Sequence, residues 1–216
     1  QKFGGFAALY MAIAHLIGIV IFLVVLDYPS ITDPALKVAL NVDNQMVVFS
    51  TNLLMYVFFG FFLIALTLAL YDRLKSSAPA IMQVATAIGI IWAGSLIASG
   101  MVANAGLAMI VPLYAQDPAQ AAITWQGIEA VTNGLGNANG EILGGFLTLL
   151  VSLAALRAGG LPKALSFLGL VVGAVGVITI IPGLTDGVGV FGLGQIIWFV
   201  WLGIVLLRSN KSASIQ

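Results

Sequence analysis

The chain has 216 residues, of which 61% are hydrophobic and only 7% charged, with eight basic and eight acidic side chains leaving no formal net charge. A soluble domain carries roughly a quarter charged residues, so this composition leaves too little polar surface to face water and excludes a water-soluble globule. Neutrality excludes polyanion binding, and with it nucleic acid as a partner; the absence of cysteine excludes disulfides, thiolate nucleophiles and cysteine metal sites.

Crossing a bilayer takes about 20 uninterrupted apolar residues. Along the chain such runs predict helices near Phe3–Leu26, Gln45–Leu70, Ala80–Met101, Leu135–Leu156, Ala164–Ile181 and Val190–Leu207. The first run is too long for a secretory signal and lacks a clear small-residue cleavage site, so a retained helix is expected. The expected fold is therefore all-α, a single polytopic domain of six transmembrane helices. All seven prolines (Pro29, Pro34, Pro79, Pro112, Pro118, Pro162, Pro182) fall between these runs or at their ends, so no kinked span is expected.

Two of the connecting segments carry the phrases Asp33-Pro34-Ala35 and Asp117-Pro118-Ala119, good helix starts because Asp caps free amides and Pro suits the first helical position. The second predicts an outer interfacial helix near 118–134, with Trp125, Ile128 and Leu135 on one face and Gln126, Glu129 and Asn133 on the other.

Orientation follows the basic residues, because short loops rich in Lys and Arg stay cytoplasmic. Lys2, Arg73, Lys75, Arg157, Lys163, Arg208 and Lys211 all flank one side, with Lys37 alone opposite. Asp27, Asp33, Asp43, Asp117 and Asp186 flank the other. Both termini are thus expected in the cytoplasm of a prokaryotic cell, with the chain multi-pass in its inner or plasma membrane.

The Asp-Pro-Ala phrase recurs at an offset of 84 residues, which also pairs Gly60 with Gly144, Phe62 with Phe146, Arg73 with Arg157 and Gly89 with Gly173. The second and third spans would then correspond to the fourth and fifth as a duplicated helical hairpin. Gly140/Gly144 and Gly169/Gly173 stand four apart, a spacing that lets helix backbones approach.

Polar side chains inside apolar spans are costly and need a partner, a cavity or a function. At a rise of about 1.5 Å per residue, Asn52, Asn104, Glu141 and Gln195 all fall within roughly 10 Å of the outer boundary, with His15 somewhat deeper. Thr185, Asp186, Asn137 and Asn139 lie near the same level. This shared depth predicts an outward-facing polar pocket with Glu141, His15, Asn52, Asn104 and Gln195 as ligand-binding residues. The alternative assignment for each is interhelical hydrogen bonding, and Trp198, Trp201 and Tyr71 are read as anchoring or packing residues.

One histidine without cysteine supplies no zinc, iron–sulfur or bis-histidine haem site, so no metal or cofactor is expected. No serine elbow, phosphate loop or intramembrane aspartate pair is present, so no catalytic residue is assigned and enzymatic activity is not expected. The glycines of Gly187-Val-Gly189-Val-Phe-Gly192-Leu-Gly194 follow no strand and do not mark a nucleotide site.

The phrases Ile90-Ile-Trp92-Ala-Gly-Ser-Leu-Ile-Ala-Ser99-Gly-Met-Val-Ala-Asn104, Tyr114-Ala-Gln-Asp-Pro118, Gly140-Glu141-Ile-Leu-Gly-Gly145 and Phe191-Gly-Leu-Gly-Gln-Ile-Ile-Trp198-Phe-Val-Trp201 resemble a prokaryotic family of six-helix integral membrane proteins catalogued as a domain of unknown function. That resemblance implies six helices over nearly the whole chain and assigns no activity. The functional expectation is a non-enzymatic protein of the lipid bilayer that binds a small or lipid-like molecule in an outward-facing polar pocket. The alternatives are an accessory or structural subunit packed against other membrane subunits and, next, a proton-coupled carrier.

Overall fold

The structure, a computed structural model, describes residues 1–136 and 141–208, and these are helical throughout apart from their connections. Helix α1 spans Lys2–Ile19 and continues as a π-helical segment, Val20–Val25. After a short 3₁₀ turn at Tyr28–Ser30 comes α2, Pro34–Asp43. Helix α3, Gln45–Asn52, passes through a second π-helical segment, Leu53–Phe58, into α4, Phe59–Leu74. Then follow α5 (Pro79–Gln116), α6 (Pro118–Gly136), α7 (Ile142–Ala158), α8 (Lys163–Ile178) and α9 (Gly187–Arg208).

Among the described residues, four helices are long and apolar enough to cross a membrane, not six: Lys2–Val25, Gln45–Leu74, Pro79–Gln116 and Gly187–Arg208. They contain the first, second, third and sixth expected spans. The other two expected spans correspond to helices of 17 and 16 residues, which reach about 26 and 24 Å against a hydrocarbon layer of about 30 Å. The fourth was expected from Leu135, but that residue belongs to α6, and α7 starts only at Ile142. Asn137, Asn139 and Gly140 lie outside the described residues.

Helix α5 departs from expectation in the other direction. It runs for 38 residues with Pro112 inside it, about 57 Å of continuous helix. Proline there removes the amide that would donate to the Ala108 carbonyl. Ala108 is exposed, so a solvent or headgroup donor can serve that carbonyl.

Both Asp-Pro phrases open helices. The Asp33 carboxylate accepts from the Ala35 amide at 2.9 Å, and the Asp117 carboxylate from the Gln120 amide at 3.0 Å. Pro34 and Pro118 begin α2 and α6 at the offset of 84 residues, and Pro79 and Lys163 begin α5 and α8 at the same offset.

The chain divides into two compact units: Gln1–Ile13, Gly60–Gly94 and the described part of Asn137–Gln216 form the first, and Ala14–Phe59 with Ser95–Gly136 the second. In the first, α8 packs on α7 and on α9. A Cβ at Gly173 would lie 2.8 Å from the Gly145 carbonyl oxygen, and one at Gly145 would lie 2.9 Å from that of Gly173, so both backbones approach only because neither residue has a side chain. Gly5 and Gly203 meet in the same way, each 3.0 Å from where the other's carbonyl would contact a Cβ. Leu63, Leu66, Leu70 and Leu74 bury one stripe of α4, and Phe191, Trp198, Phe199, Leu202 and Leu206 one stripe of α9.

In the second unit α2 packs on α6. Its core is Leu26, Val38, Val48, Leu107, Ile110, Ala121, Ala122 and Trp125. Gly18 leaves room for Met55, whose thioether occupies the space a side chain would need.

Candidate functional site

The second unit brings together two of the residues singled out by depth. The Asn52 carboxamide donates to Asn104 Oδ1 at 3.0 Å, and Asn104 Nδ2 donates to the Phe49 carbonyl at 3.2 Å. Both residues are buried, at 4% and 8% exposure. Helix α3 changes pitch at this place: the Leu53 amide reaches both the Phe49 and the Ser50 carbonyls as the π-helical segment begins. Asn104 thus supplies a donor to a carbonyl at the edge of an irregular helix turn, a type of irregularity found often at functional sites.

Asn104 also lines a groove of about 120 Å³ with Gln45, Met46, Phe49, Leu107 and Ala108. Its walls are apolar and none of these six residues is charged. Gln45 and Met46 are exposed, and Gln45 is the first residue of the second membrane-length helix. The groove therefore offers the two carboxamides of Gln45 and Asn104, a thioether and a phenyl ring.

His15, in the same unit, sets its ring edge-on against Phe59, with centroids 5.2 Å apart, and its Nδ1 has no hydrogen-bond partner. Ser99 donates to the Thr132 carbonyl at 2.9 Å and Ser95 to that of Leu135, which ties the second half of α5 to α6.

The first unit holds the other two expected residues. Glu141 precedes α7 and is 6% exposed; its backbone amide donates to Thr179 Oγ1 at 2.9 Å. Gln195 is fully buried and pairs with Thr148, whose hydroxyl donates to Gln195 Oε1 at 3.2 Å and accepts from Nε2 at 3.1 Å. One turn beyond Thr148, Ser152 is also buried, and it meets Trp198 over Gly169, where a Cβ would collide with both. Glu141, Thr148 and Ser152 thus place polar groups on one face of α7.

Sequence reasoning missed a third cluster, in the second unit, although Lys37 had stood out as the lone basic residue on the outer side. Lys37 Nζ donates to Glu129 Oε1 at 2.9 Å, with both side chains about one-fifth exposed. The Tyr28 hydroxyl donates to the same oxygen at 2.9 Å and accepts from Trp125 Nε1 at 3.0 Å. The Lys37 ammonium also stands 5.1 Å from the centre of the Tyr28 ring. Glu129 was expected on the polar outward face of the outer helix; instead it turns towards α2, because Lys37 and Tyr28 supply the donors that make its burial tolerable. Burial pushes the Tyr28 phenol up to about 12; hydrogen bonding from Trp125 opposes this, and the neighbouring Glu129 charge adds to it. Asn41 is fully buried against that phenol, yet neither end of its carboxamide reaches hydrogen-bond geometry. Tyr28, Lys37 and Glu129 are separated by up to 101 residues, and only Lys37's isolation among acidic neighbours signalled them.

Among the described residues no group of three or more His, Asp or Glu side chains could hold a metal ion. Comparisons with family models, with curated proteins and with solved structures give no match for this chain.

Proposed function

We propose that this chain is a multi-pass protein of a prokaryotic plasma membrane that binds a small or lipid-like molecule at an outward-facing site, without catalysing a reaction. The observation that carries this reading is the buried Asn52–Asn104 pair at an uncharged groove. Binding sites typically combine apolar walls with a few placed polar groups, and Asn104 presents a carboxamide held in place by two hydrogen bonds.

Six crossings with both termini cytoplasmic fit the distribution of basic residues. The short helices α7 and α8 would then cross where the bilayer thins to meet them. Four crossings with α7 and α8 as a partly inserted hairpin would leave the termini on the same side, since both numbers are even. The shared offset of 84 residues at the starts of α2 and α6, and of α5 and α8, favours a duplicated hairpin.

Native mass spectrometry of the purified full chain tests the binding reading. A retained small molecule or lipid is expected in the wild type and its loss in Asn104→Leu; a wild-type spectrum with bare protein alone removes the reading, and a stoichiometric partner chain in place of the ligand favours the accessory-subunit alternative. The polar face of α7 favours a second reading, a proton-coupled carrier. Glu141→Gln should then abolish proton flux in liposomes, and equal flux in both forms discards it.

A further inference from the structure

Resting on the binding reading above, we infer that the groove between α3 and α5 takes the ester-carbonyl region of an uncharged or zwitterionic bilayer lipid. Four observations select this occupant. The groove begins at Gln45, where the second membrane-length helix opens, so it lies at the level where hydrocarbon gives way to the interfacial layer. None of its lining residues is charged, which leaves nothing to select an anionic headgroup. It offers hydrogen-bond donors. Asn104 commits one Nδ2 hydrogen to the Phe49 carbonyl and has a second to offer, and Gln45 is exposed at the rim with a carboxamide of its own.

Size supplies the fourth. About 120 Å³ is less than the roughly 150 Å³ that accommodates a benzene ring and well below the 300–1,000 Å³ of drug-sized sites. The groove holds a segment of a larger amphiphile whose remainder stays in the bilayer. Met46, 69% exposed, offers soft apolar surface at the rim of the groove. Carbonyl oxygens accept the Gln45 and Asn104 hydrogens, and the adjoining methylenes lie on Phe49.

The test is competition in nanodiscs between a diacyl phosphatidylcholine and its dialkyl ether analogue, which keeps headgroup and chains but lacks both carbonyls, with retained lipid read by native mass spectrometry. The wild-type full chain should retain the ester lipid about three- to tenfold over the ether, the effect of one or two neutral hydrogen bonds. Gln45→Leu should reduce that preference and Asn104→Leu abolish it. If Asn104→Leu fails to fold, Gln45→Leu carries the test, since Gln45 is exposed and buries nothing. Met46→Trp, which fills the groove, should release both lipids. Equal retention of ester and ether by the wild type overturns the carbonyl assignment while leaving groove binding intact, and so does a preference for phosphatidylglycerol over phosphatidylcholine. Absence of retained lipid in the wild type, or retention unchanged by Met46→Trp, overturns groove binding itself.

Discussion

The two units solve the same problem, holding helices together without a water-driven collapse between them, by opposite means. In the first, helix backbones touch at Gly145 and Gly173 and at Gly5 and Gly203, and the buried polar contacts join uncharged groups such as Thr148 and Gln195. In the second, helices are tied by a partly buried ion pair, a phenol with two partners and a pair of asparagines, and two helices change pitch. Where apolar solvent surrounds a helix on all sides, close packing of small residues is the available adhesive. A partly buried ion pair holds where further hydrogen bonds complete it, as the Tyr28 hydroxyl does for Glu129.

The largest test of that contrast is Gly173→Leu. Its Cβ would lie 2.7 Å from the Leu149 amide nitrogen and 2.8 Å from the Gly145 oxygen, backbone atoms that cannot step aside. A loss of about 3 kcal/mol or more is expected, read as collapse of the monodisperse peak on detergent size-exclusion. A well-behaved variant would show that close approach does not hold the first unit.

Alkaline titration addresses the second unit. The folded Tyr28 phenol titrates near 12 against an ordinary value near 10, so the unfolded chain loses its proton first. The resulting stabilisation is intact below pH 10 and disappears as pH rises from 10 towards 12, by about 3 kcal/mol. Thermal melts across that range should steepen for the wild type and flatten for Tyr28→Phe. Identical slopes in the two proteins would remove Tyr28 from the second unit's stability.

The smallest effect concerns Asn41. A buried carboxamide with no partner costs about 1–3 kcal/mol relative to an apolar side chain of similar shape, so Asn41→Leu should raise the melting temperature by a few degrees. A fall instead would mean that the amide is satisfied in solution, by a bound water or ligand beside Tyr28.

What could be read from sequence was what depends on local averages. Four long apolar helices stood within a few residues of their expected starts, because hydropathy over twenty residues is set by composition alone. Of the two short helices, α8 starts at Lys163, one residue from expectation, whereas α7 starts only at Ile142, because the expected first residue, Leu135, belongs to α6. Pro112 was placed in a loop by a rule about lost donors, and the rule gives way where the freed carbonyl of Ala108 lies exposed. Depth put Asn52 and Asn104 at one level with Glu141 and Gln195, without singling them out as the two that bond to each other. It could not find Tyr28, Lys37 and Glu129, whose meeting depends on how α2 folds back on α6. Glu141, His15 and Gln195 were legible as polar residues in apolar surroundings, but their partners Thr179, Phe59 and Thr148 were not.

The interleaving of the two units along the chain has a consequence for biosynthesis. Every residue of the second unit has been synthesised once Gly136 is added, whereas the first still waits for α7, α8 and α9. The Asn52–Asn104 pair and the Lys37–Glu129 pair can therefore form on a nascent chain that does not yet hold α8 and its glycine contact with α7.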